Sequence, residues 1–156
     1  MKHILVMLAA LFLAFPAGAE AGDMEDIVAA IEKRWTDTAK KQIDPGASNP
    51  AGSWLATSQG GLWQFQSPAE AVAMITDSPN TLAFQPMHIN VQIMGSQKDV
   101  AYATYYLIGN IMIEGKPLVS NYRTRASTVY VKIGGKWLTS GEHYSPLYGG
   151  SGVGFD

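Results

Sequence analysis

The sequence predicts an α+β domain, helices first and an antiparallel meander after them. Two observations carry this. Apolar residues recur every three to four positions from Met24 onward, and beyond Asn80 the period falls to two. Turn-forming clusters at Gly95 to Asp99, Glu114-Gly115-Lys116-Pro117 and Gly134-Gly135 then cut the second half into four runs.

The first helix is marked by Met24, Ile27, Val28, Ile31, Trp35 and Ala39 on one face, with Asp23 placed to cap and Glu25 and Asp26 in the first turn, where the macrodipole favours anions. Lys40 and Lys41 suit its C-terminal end, and Asp44-Pro45-Gly46 stops it. A turn-rich passage through Asn49-Pro50 to Gly60-Gly61 follows, punctuated by Trp54 and Trp63. Ser67-Pro68-Ala69-Glu70 is a capping box with proline at the first helical position, so a short second helix runs to about Thr76 before Asp77-Ser78-Pro79-Asn80 breaks it. Strands are expected near 84–94, 100–113, 118–132 and 136–144. Gly149 to Gly154 has no helix after it to complete a phosphate-binding loop, so residues 149–156 are read as a flexible tail.

The chain opens like an export signal: Lys2, an apolar run from Ile4 to Phe15, then Ala17-Gly18-Ala19 as a small-x-small cleavage site, with a second cut available after Ala21. Residues 1–19 are therefore set aside as a signal peptide, leaving a single domain over 20–148 and a periplasmic or secreted location. With no cysteine in the chain, disulfides, a thiolate site and a lipidated cysteine are all excluded. The net charge of −2 becomes −3 once Lys2, the one charged residue of the signal, is removed. Such a balance gives no electrostatic case for nucleic acid or an anionic membrane, and small or neutral partners are expected.

The chemistry-bearing residues gather in the last two strands. If Gly134-Gly135 is a two-residue hairpin turn, Ala126 lies opposite His143 and Ser127 opposite Glu142. One face then carries Tyr122, Thr124, Ala126, Thr128, Tyr130, Trp137, Thr139 and His143, joined by Ala101, Ala103, Tyr105 and Leu107 across a turn at Gly115-Lys116. The other carries Arg123, Arg125, Ser127 and Glu142 with Tyr102, Thr104 and Tyr106. The more apolar face belongs under the helices, with His143 at the end of a cavity and Glu142 within reach of Arg125. A single β-bulge would bring Arg125 and His143 onto one side, and both registers stay open. The functional reading has Arg125 hold an anion or carbonyl while His143 transfers a proton. The structural reading has arginines paired with an acid across a dimer and a hydrogen-bonded core histidine.

The order of elements, together with Gly135-Lys136-Trp137, His143 six residues beyond that tryptophan, and Ser145, resembles the nuclear transport factor 2-like superfamily in its SnoaL-like and kinase-association branch. The resemblance implies a cone-shaped fold, a curved antiparallel sheet wrapped around the N-terminal helices over a pocket, and a homodimer formed through the outer sheet. It nominates His143 and Ser145, with Arg123 and Arg125, as pocket residues, and Trp63, His88, Tyr105 and Trp137 complete the candidate ligand-binding set. Relatives that are isomerases, cyclases or dehydratases place an acidic or histidine base deep in the pocket; here no aspartate falls in a predicted strand, leaving His143, Glu142, His88, Asp37 and Asp44 as bases. With His88 and His143 the only histidines beyond the signal and no cysteine, no metal set forms, and no Gly-x-Ser-x-Gly motif lies between a strand and a helix. The expectation is a cofactor-free binding or assembly module with a ligand pocket between sheet and helices. The alternative is an isomerase, lyase or cyclase for a small carbonyl compound, with His143 as acid and base.

Overall fold

A computed structural model describes residues 17–147, with side-chain surroundings from residue 21 onward. Most of the expected signal peptide and the whole glycine-rich tail lie outside the described residues. Helix α1, Ala17–Lys40, begins earlier than its apolar stripe suggests. Asp23 consequently sits inside the helix instead of capping it. Its carboxylate accepts hydrogen bonds from Lys132 Nζ at 2.5 Å and Trp137 Nε1 at 3.1 Å, tying the helix to the last hairpin. A 3-10 turn, Pro45–Ala47, follows, with the Asp44 carboxylate accepting from the Gly46 N–H. Helix α2 is Pro68–Thr76, and the Ser67/Glu70 capping box forms as the sequence indicates.

The sheet has six strands: β1 (Ser53–Ala56), β2 (Gln64–Gln66), β3 (Asn80–Met94), β4 (Val100–Ile113), β5 (Lys116–Ile133) and β6 (Lys136–Pro146), in the order β2-β1-β6-β5-β4-β3. Strands β3 to β6 are the expected antiparallel meander. The sheet as a whole is mixed, correcting the all-antiparallel expectation, because β1 runs parallel to β6 with Leu55 beside Glu142. Strand β1 lies in the passage read as turns, and β2 between that passage and α2. Helix α1 packs on the inner face, where Ile27, Ile31 and Trp35 meet Ala101, Ala103, Tyr105, Leu107, Ala126, Tyr130 and Trp137.

The register decides which chemistry faces the helices. The turn between β4 and β5 is Glu114-Gly115, one residue earlier than expected. Two irregularities near Ile111 offset that difference, so Ala101 still faces Tyr130 and the faces of β4 and β5 are as read from the sequence. The last hairpin turns at Gly134-Gly135 as expected, with Ile133 opposite Lys136. Between Val129 and Tyr130 the pairing then slips: Tyr130 faces Thr139 while Val129 faces Gly141, leaving Ser140 as an extra residue. That bulge is held from outside the hairpin, for Asn49 donates its side-chain N–H to the Ser140 hydroxyl at 3.1 Å and its backbone N–H to Thr139 O at 2.8 Å. Beyond it every side chain of β6 changes sides. Ser127 lies opposite His143 and Ala126 opposite Tyr144, so the unbulged register is corrected: Glu142 is buried under the helices and His143 is exposed on the outer face.

Candidate functional site

The residues that the bulge turns inward meet the polar part of α1. Arg34 lies on the arc of α1 that includes Ile31 and Trp35, and its Nη2 donates to Glu142 Oε2 at 2.8 Å. Tyr144, two residues on in β6 and so on the same face, donates its hydroxyl to Glu142 Oε1 at 2.8 Å. The Glu142 side chain is 1% exposed, whereas that of Arg34 keeps 15%. This is the only hydrogen bond of the Arg34 guanidinium among the described residues, and its buried Nε–H has no partner, leaving a group with five N–H donors well short of saturation. The expected pairing of Glu142 with Arg125 does not form.

These three side chains help line a cavity of about 260 Å³ between α1, α2 and the inner face of the sheet. Its walls are mainly apolar, including Trp35, Leu82, Phe84, Leu107 and Ile111, with Met74 and Ile75 from α2. Trp35 meets Phe84 and Tyr144 edge-on, at centroid distances of 5.7 and 5.9 Å, which fixes the aromatic wall beside the ion pair. Ser58 and Tyr122, also in the lining, have hydroxyls 2.6 Å apart. Arg34 and Glu142 are the only charged residues lining the cavity, so the site is close to neutral as a whole.

Burial acts on Arg34 and on three phenols of the inner face. Burial, the largest single effect, would lower the Arg34 guanidinium, but the Glu142 carboxylate together with Tyr144, Tyr105 and Tyr130 outweighs it and holds the group above its usual range. Burial first and the Glu142 charge second push the Tyr144 and Tyr105 phenols up, and Tyr130 rises through burial and then Tyr105. All three phenols are therefore neutral donors at ordinary pH.

The residues nominated from the sequence assemble elsewhere. His88, Arg125, His143 and Ser145 border one groove on the outer face of the sheet, joined there by an edge of Tyr105, whose ring is otherwise buried with its hydroxyl 3.2 Å from Thr128 Oγ1. The Trp63 ring lies 5.8 Å from that of His143. Arg123 projects from the same face and donates to Asn121. Trp137 lines neither space; it is a core residue bonded to Asp23, with Lys132 over its ring. Among the described residues no group of three or more His, Cys, Asp or Glu side chains converges as a metal site would require, and no helix is long and apolar enough to cross a membrane. The sequence reading named Glu142 as a strand acid but missed Arg34 and Tyr144. Arg34 could have been found, since a cation three residues from Ile31 shares the core-facing arc of the helix and needs a buried acid.

No protein-family model and no curated protein matches the chain. Solved structures do. A dehydratase candidate of the NTF2-like family from Streptomyces avermitilis superposes with a TM-score of 0.67 at 19% identity, over 83% of this chain and 99% of that one. An NTF2-like protein with a cystatin-like fold from Novosphingobium aromaticivorans gives 0.66 at 13% identity, over 89% and 94%. A candidate Ca/calmodulin-dependent kinase II association domain from Exiguobacterium sibiricum gives 0.64 at 8%, over 86% and 98%. The likeness rests on the arrangement of helices over a bent sheet, and on that arrangement the chain has the nuclear transport factor 2-like fold.

Proposed function

We propose that the chain is an exported small-molecule-binding module whose ligand, neutral and mostly apolar, occupies the cavity between the helices and the sheet and turns one hydrogen-bond acceptor towards Arg34. The observation that carries this reading is the pairing of Arg34 with Glu142 inside an apolar enclosure. The pair cancels its own charge, so an ionised ligand would be desolvated without a counter-charge. The spare N–H groups of Arg34 favour an acceptor oxygen on an otherwise apolar body. The export part of the reading rests on Lys2, the Ile4 to Phe15 run and Ala17-Gly18-Ala19.

The alternative, a cofactor-free isomerase, lyase or cyclase, is compatible with the dehydratase candidate of the same fold. His143 lies on the other side of the sheet from this cavity, so acid and base work inside it would fall to Glu142 and Tyr144. Acetophenone and benzoate test the binding reading, having similar bodies and different charge. In methyl-detected NMR, acetophenone is expected to shift Leu82, Leu107 and Ile111 saturably, and benzoate to leave them in place. Indifference of those methyls to both compounds would refute the cavity as a ligand site.

A further inference from the structure

The outer face of the sheet carries a trough that the helix-side cavity does not use. Two grooves, of about 460 and 400 Å³, share Tyr102, Ser127 and His143. One end is aromatic: Trp54 and Trp63 are 52% and 57% exposed, and Trp63 tilts over His143 at 38°. The other end is cationic, with Arg125 beside His88 and Tyr106, whose rings meet edge-on at 6.1 Å. Arg123 adds a second positive charge to the same face of β5.

Among the described residues, no acidic side chain pairs with the arginines of this face. Glu142 is the one acidic residue in any of the six strands, and the Ser140 bulge turns it inward onto Arg34. The Arg125 guanidinium makes no hydrogen bond or ion pair among the described residues, although the chain as a whole is negative. A second copy docked here about a two-fold axis would set Arg123 and Arg125 against a surface equally free of carboxylates. An anion is what the surface lacks, and the exposed rings ask for a flat apolar body to cover them.

We infer that this trough is a second binding site, for a small aromatic oxyanion, an arylcarboxylate or aryl phosphate. The oxyanion meets the Arg125 fork between His88 and His143, and the ring lies along Tyr102 and Trp63. The site is separate from the helix-side cavity: the sheet lies between them, and one takes a neutral ligand, the other an anion.

Titration of the full chain with phenyl phosphate, followed on the imidazole cross-peaks of His88 and His143, tests this. Saturable shifts of both histidines are expected, with Leu82 and Leu107 unmoved. Benzamide, Arg125→Gln and Trp63→Ala should each weaken binding by about tenfold, and inorganic phosphate should bind weaker than phenyl phosphate by a similar factor. Arg125 and Trp63 are exposed, so their variants are expected to keep the wild-type thermal midpoint. Equal affinity of wild type and Arg125→Gln, or inorganic phosphate binding as well as phenyl phosphate, overturns the assignment. So does an anion-independent dimer in which the histidine signals respond to protein concentration and not to the probe. Because the cavity test reads the methyls and this one the histidines, either site can fail alone.

Discussion

Removing Arg34 by itself would leave the Glu142 carboxylate, its side chain 1% exposed, without a counter-charge among Tyr105, Tyr130 and Tyr144. Arg34→Met is therefore expected to destabilise the chain by about 3–5 kcal/mol in urea unfolding. The double variant Arg34→Met with Glu142→Gln should recover most of that loss, because it leaves no buried charge and a Gln oxygen can still accept from Tyr144; an equal loss in both would mean that the pair matters by shape alone. Asp23 supplies a second residue-level test. Its carboxyl is held below its ordinary 3.8, first by the Lys132 hydrogen bond and, against the opposing effect of burial, by Trp137. A depressed carboxyl contributes stability fully above its unfolded value and loses it as pH falls through the native one. Asp23→Asn should accordingly flatten the acid limb of stability below about pH 4. The inward arc of Arg34 was legible, but neither its partner nor that of Asp23 was, because the orientation of their helix over the sheet is a tertiary fact.

At the level of elements, the strands β3 to β6 and both helices were legible because each is long enough to show its period or carries a cap. Strands β1 and β2 have four and three residues, too few for alternation to register, and β1 owes its place to parallel pairing with β6, which is a tertiary fact. The bulge was harder still. Nothing in Thr139-Ser140-Gly141 announces it; Asn49, 91 positions away from Ser140, helps to hold it. Deleting Ser140 would remove the extra residue and leave Thr139 opposite Tyr130 and Gly141 opposite Val129, so Glu142 stays inward and His143 outward; circular dichroism is expected to find that variant folded and melting cooperatively, and a loss of cooperativity would mean that the Asn49 contacts to the bulge are needed. Gly109 makes its own demand on β4. A Cβ there would lie 2.1 Å from Ala83 O and 2.8 Å from Phe84 Cα, so Gly109→Ala should cost about 1–3 kcal/mol by forcing β3 away from the cavity wall.

For the whole molecule, three buried phenols set the alkaline limit. Tyr105, Tyr130 and Tyr144 hold their protons more tightly folded than unfolded, so stability is complete below about pH 10 and falls as pH rises beyond it. Their tyrosinate absorbance should appear together with unfolding; ionisation of these three phenols while the chain stays folded would contradict the burial. The proposed export makes a prediction of the same scale. From residue 21 onward the first buried side chain of α1 is Ile27, and the intact mass of protein from an exporting host should begin at Glu20 or Gly22. The order of the sheet has a last consequence, for solubility. The long edge strand, β3, offers a free ladder to any passing chain, the usual seed of aggregation. Pro86 removes one N–H from it, and the irregularity between Met87 and Asn90, where His88 takes a φ of 53°, breaks its line. The strand best placed to recruit a neighbour is interrupted at its middle, which protects a chain that has no disulfide to fall back on.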